Sequence, residues 1–253
     1  YLAGNPYPCA IDAEAFLYDN LNNTDVLDGT IYFWTHNTPV NPSLAQYKYY
    51  SADYATFNKS GGTATWYSPG NNAAPDGYIA AGQSFFTLAS KPGRVEFNNS
   101  MRVTGNNSTF FKPGKTSKSA KLEKHRLWLN LINSGGAFKQ TLIGYIEGAT
   151  NTYDKNFDGL SFDGNSYIDF YSVNATDNLT IQGRALPFND ADVVPLGYRS
   201  TIAGDFTIAI DHADGNLATQ RVYLEDKQTG TFTELTAGNY TFNTKAGTFN
   251  SRF

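Results

Sequence analysis

Arg126-Leu127-Trp128-Leu129-Asn130-Leu131 places an apolar residue at every second position, so Leu127, Leu129 and Leu131 share one face of an extended strand. Phe206-Thr207-Ile208-Ala209-Ile210 repeats the pattern, and Val222 with Leu224 and Tyr240 with Phe242 continue it. A period of two with one apolar face predicts antiparallel sheets stacked against each other. Short strands at intervals of about ten residues favour a β-sandwich over a barrel, and no internal repeat suggests a solenoid.

The first half reads as strands too: Thr30–His36, Gln46–Tyr50, Tyr54–Phe57, Tyr78–Leu88, Arg94–Phe97 and Ser108–Phe111, separated by Gly, Pro and Asn clusters. One helix is expected, from Ile11 to Asn20. Asp12 can cap it, Glu14 sits in its first turn, and Ala10, Ala13, Phe16 and Leu17 line one stripe. The composition agrees with a strand-rich chain: 17 Tyr, 18 Phe and 23 Gly in 253 residues, with a single Met. The predicted fold class is all-β, with two antiparallel, jelly-roll-like β-sandwich domains and one short helix near the N-terminus.

Between them the run Lys112–Arg126 holds six of the 19 basic residues and one acid, and it reads as a solvated linker. The predicted domains are 1–113 and 126–253, with a Lys-rich linker at 114–125. A net charge of -4 supplies no excess of Lys and Arg for a phosphate-dominated nucleic-acid surface. No stretch is long and apolar enough to span a bilayer. One cysteine, Cys9, forms no internal disulfide framework, and His36, His125 and His212 are too scattered for a local metal motif.

Several ordered motifs carry a resemblance. They are Gly4-Asn-Pro-Tyr-Pro8 with Ala10-Ile-Asp12, Ile31-Tyr-Phe-Trp34, Tyr54-Ala-Thr-Phe-Asn58, Ala81-Gly-Gln-Ser-Phe-Phe86 and Phe97-Asn-Asn-Ser-Met-Arg102. Arg126-Leu-Trp-Leu-Asn130, Gln140-Thr-Leu-Ile-Gly-Tyr145, Ala149-Thr-Asn-Thr-Tyr-Asp154, Gly204–Ile210, Tyr223–Lys227 and Arg252-Phe253 continue them. Together they resemble the β-sandwich region upstream of the C-terminal sorting domain in cell-surface proteins of Flavobacterium-like Bacteroidetes, exported by type IX secretion. The resemblance implies a non-enzymatic structural or adhesive module in an extracellular, cell-surface setting, and carries no catalytic residues. Two departures are Cys9, where the pattern has a small hydroxyl residue, and the stop at Arg252-Phe253, where relatives continue.

Asp154-Lys-Asn156-Phe-Asp158-Gly159 has the D-x-N-x-D-G spacing that brings three oxygen side chains round one cation, with calcium the ion expected and Asp163 within reach. Asn165 stands where a helical calcium hand needs a bidentate Glu, and the same spacing also builds an Asx-turn loop that needs no metal. Trp66 and Tyr67, between Gly-rich turns, are the candidate exposed platform for a glycan, whereas Trp34 and Trp128 sit in apolar strands and are expected in the core. A carbohydrate-binding module of a secreted hydrolase is therefore the alternative reading. No spacing pairs Glu96, Glu147, Asp205 or Glu225 as a catalytic couple, and no nucleophile elbow or H-E-x-x-H motif occurs. The apolar alternation in Thr248–Phe253 predicts a final strand with an open edge, which reads either as simple truncation or as an edge through which copies can assemble.

Overall fold

The computed structural model describes residues 1–34, 54–65, 74–105, 107, 122–162 and 167–253. The chain divides into two units, one made of Tyr1–Lys121 with Asp154–Gly159, the other of Leu122–Tyr153 with Leu160–Phe253. The described residues are mostly strand, with one short α-helix.

In the first unit, β1 (Leu2–Gly4), β2 (Ile11–Asp12) and helix α1 (Ala13–Tyr18) precede β3 (Leu27–Trp34), β4 (Tyr54–Asn58), β5 (Gly61–Thr63), β6 (Tyr78–Ile79) and β7 (Ser84–Ala89). The antiparallel sheet runs β1-β7-β3-β4-β5, and β2 pairs β6 beside it. Asp12 caps α1 as expected, its carboxylate accepting the Ala15 N–H at 3.0 Å. Ala10, Ala13, Phe16 and Leu17 are all buried, and the Phe16 ring meets Phe85 edge-on at 5.1 Å. Arg94–Phe97 forms no strand. Its backbone is held instead by Asn20, whose amide accepts the Glu96 N–H and donates to the Glu96 carbonyl. Trp34, expected in the core, is 39% exposed at the end of β3.

In the second unit, β8 (Lys124–Asn133), β9 (Phe138–Ile146), β10 (Gly159–Leu160, of which Leu160 belongs to this unit), β11 (Ile168–Asn174), β12 (Asp177–Arg184) and β13 (Leu196–Ser200) come first. They are followed by β14 (Gly204–Ala213), β15 (Tyr223–Asp226), β16 (Thr231–Glu234), β17 (Tyr240–Thr244) and β18 (Gly247–Phe249). The principal strand order is β17-β14-β8-β9-β12-β11-β13-β18. Leu127, Leu129 and Leu131 pack with Phe206 and Ile208 of β14, as their alternation predicts. Tyr198 of β13 meets Phe242 of β17 at 5.4 Å, so strands from opposite ends of the sheet order face each other across one core. One expectation changes. β9 and β12 pair in parallel, whereas the other ladders along the principal strand order are antiparallel. Both strands are buried along most of their length, the setting in which parallel pairing is usual.

The boundary also moves. Lys124 and His125, at the end of the expected linker, lie in β8 with Arg126, and His125 is buried. Residues 114–121 of the expected linker, and the strands expected at Gln46–Tyr50 and Ser108–Phe111, lie outside the described residues. At the other end, β18 pairs β13 and stands last in the sheet order, while Arg252 and Phe253 are buried in the core. No helix among the described residues is long and apolar enough to cross a membrane.

Candidate functional site: an apolar cleft in the second unit

A cavity of about 370 Å³ opens within the second unit. Its floor is apolar, built from Leu127 and Leu129 of β8, Ile143 of β9, Leu196 of β13, and Phe253, which is 4% exposed. Three walls rise round it: the segment Phe188–Val194, the 3₁₀ turn Gly215–Ala218 through Leu217, and the β15–β16 hairpin with its flanks. The size falls within the range of roughly 300–1,000 Å³ usual for small-molecule sites.

A charged pair pins each wall. Arg184 binds both oxygens of Asp192 at 2.9 Å, and the Tyr145 hydroxyl donates to the same carboxylate at 2.7 Å. Burial, then this bond to Asp192, pushes the Tyr145 phenol far above its ordinary value, so it stays a donor. At the second wall, Arg126 Nε donates to Asp214 at 3.0 Å just before the 3₁₀ turn. His125 Nδ1 accepts the Asn216 N–H at 3.0 Å, which leaves the proton on Nε2 to bind Glu123. The imidazole also packs edge-on against Phe188, touching the first wall.

Asp226, at the end of β15, anchors the third wall. Arg252 Nε and Nη2 donate to its Oδ2 at 3.0 and 2.8 Å, Tyr240 adds its hydroxyl at 2.8 Å, and the Gln228 N–H binds Oδ1 at 2.9 Å. Burial alone would raise this carboxyl. The Arg252 guanidinium, with the Tyr240 and Gln228 donors, outweighs that effect and holds it below the usual carboxylate range. The guanidinium itself lies 4.5 Å from the Phe242 ring centroid. Walls fixed this way stand ready around the floor before any ligand arrives.

The residues singled out by spacing lie elsewhere. Asp154, Asn156 and Asp158 form a tight loop whose carboxylates bind its own backbone: Asp158 Oδ2 accepts the Asp154 N–H at 2.7 Å and Asp154 Oδ1 the Asn156 N–H at 3.0 Å. The loop belongs to the first unit. Asn58 and Ser60 both donate to the Phe157 carbonyl, at 3.1 and 2.6 Å, and Thr30 donates to that of Asp158 at 3.2 Å. Asp163, Trp66 and Tyr67 lie outside the described residues. Trp128 is buried, stacked on His212 at 3.9 Å. Among the carboxylates that spacing could not pair, Glu225 lines the cleft, Glu147 accepts the Glu123 N–H and Asp205 accepts from Asn243. Sequence reading missed the cleft because its lining is drawn from positions between 127 and 253. The one available signal was the pair of apolar residues on the turn-rich hairpin strands, Tyr223 and Phe232.

Fold and cleft together define a strand-built protein of two units, with an apolar cleft in the second. The chain belongs to the family described as Domain of unknown function (DUF8693), whose model matches residues 1–253. No curated protein and no solved structure matches it.

Proposed function

We propose that the chain is a non-enzymatic structural or adhesive module of a bacterial cell-surface protein, built as two strand-rich, sandwich-like domains, with the second-unit cleft as its contact site. The observation that carries the reading is the preformed cleft itself: an apolar floor whose three walls are each held by a charged pair. A site arranged this way binds without first ordering its walls, so little of the binding free energy is lost to reorganisation. The resemblance of the ordered motifs to type IX secreted surface proteins supports the setting.

Protease added outside intact producing cells tests the location. Loss of the protein without cell lysis supports surface display, and full protection until lysis contradicts it. The second reading, a carbohydrate-binding module, draws on Tyr223 and Phe232, which are 55% and 70% exposed beside the cleft and offer flat rings for sugar stacking.

A further inference from the structure

The outward face of the β15–β16 hairpin shows what the cleft can hold. Tyr223 pairs with Glu234 and Glu225 with Phe232 across the antiparallel ladder, and strand positions two apart share a face. Two aromatic rings and two carboxylates therefore alternate on one surface. Tyr223, Glu225 and Phe232 all border the cavity.

The charges around the mouth do not cancel. Arg184, behind the lining, binds Asp192, while Arg221 lies 3.8 Å from Glu234 and hydrogen-bonds the Tyr223 hydroxyl. The charged residues that line the cavity are Asp190, Asp192 and Glu225 against Arg221 and Lys227, a balance of one negative charge. An aromatic face carries the negative end of a quadrupole and attracts an organic cation, and a carboxylate beside it adds Coulomb attraction. Below the mouth the floor is apolar, and its volume of about 370 Å³ exceeds the roughly 150 Å³ in which an engineered apolar cavity holds benzene.

From this geometry we infer that the cleft binds a small amphipathic organic cation, with its ammonium or guanidinium group at Glu225 between the Tyr223 and Phe232 rings and its apolar body on the Leu127–Leu129–Ile143 floor. The head of such a ligand finds charge and π-face where it stays partly hydrated, and its body is withdrawn from water. An anion of the same shape meets Asp190 and Glu225. An uncharged amphipath gains from the floor alone. The inference rests on the cleft being the contact site proposed above, but the protease experiment does not involve the cleft, so the two can fail separately.

Three probes with one tail decide it: octyltrimethylammonium, octyl glucoside and octyl sulfate, each below its micellar concentration, titrated calorimetrically into the full chain at low ionic strength. The expected order is cation, then glucoside, then sulfate, with at least tenfold between the first and the last, narrowing as salt screens the mouth. Glu225→Gln should remove most of the gap between cation and glucoside, and Phe232→Ala should weaken the cation severalfold. Both positions are on the outer face of the hairpin, so circular dichroism should show an intact fold. Leu217→Trp, which fills the cleft from its second wall, should weaken all three probes. Equal affinity for the three heads, a preference for sulfate, or binding by none of them would overturn the inference.

Discussion

Replacing Gly29 with Ala should destabilise the first unit severely, because the Asp154–Gly159 loop lies directly against the backbone there. A Cβ built on Gly29 would overlap the Lys155 carbonyl oxygen and press on the Leu21 side chain. Two responses bound the effect. If the loop yields slightly, the cost is that of overpacking a tight site, about 1–3 kcal/mol. If it lifts away, the bonds from Asn58, Ser60 and Thr30 are lost, each worth about 1 kcal/mol net. Phe157, 4% exposed, would then come out of the interior at roughly 2–3 kcal/mol more. Complete undocking thus costs about 5–6 kcal/mol, and Phe157→Ala should fall between the two limits. Urea unfolding followed by near-ultraviolet circular dichroism measures the first transition. A Gly29→Ala protein within about 0.5 kcal/mol of the parent would refute the close approach and the role of the loop as a structural clip.

Four further outcomes are expected. Arg252→Ala should cost about 3–5 kcal/mol in the second unit, because it leaves the Asp226 carboxylate buried without its cation; thermal melts would show it, and an unchanged melt would contradict it. The folded carboxyl of Asp226 is held below its unfolded value of about 3.9, so its stabilisation is present above that pH and is lost as pH falls through the folded pKa. Asp226→Asn should lack this acid-side component in urea titrations run from about pH 5 downward. Asp158→Ala should lower stability by roughly 1–3 kcal/mol even in chelator, since it removes the acceptor of the Asp154 N–H, whereas a loss seen only with calcium present would assign the loop to a cation. Limited proteolysis between 112 and 126 should spare the bonds after Lys124 and Arg126, which lie in β8, and the fragments should co-elute, because the first unit includes Asp154–Gly159.

Much of the local structure was legible in the sequence because it depends on neighbours in the chain. Asp12 and the Phe16–Leu17 stripe specify α1 within a few residues, and the alternation at Leu127–Leu131 and Phe206–Ile210 specifies which face is buried. Pairing partners are another matter. The parallel match of β9 with β12 joins residues about forty positions apart, and nothing in either strand's alternation tells parallel from antiparallel. The D-x-N-x-D-G spacing specifies a tight turn of oxygen-bearing side chains, but not which unit receives the loop or that its carboxylates bind its own backbone. Arg252 reads as a terminal charge. Only the fold brings it to Asp226 and under the Phe242 ring. Trp34 reads as core by its apolar neighbours, yet it ends its strand, where one side chain can leave the interior without breaking the pattern.

The most direct measurement is methyl and amide NMR of the full chain titrated with octyltrimethylammonium. The account expects saturable shifts at Leu127, Leu129, Leu217, Leu224 and Val193 and at the Tyr223 and Phe232 amides, with the first unit unmoved. Shifts centred elsewhere, or none at concentrations that saturate the calorimetric signal, would contradict a preformed binding cleft in the second unit.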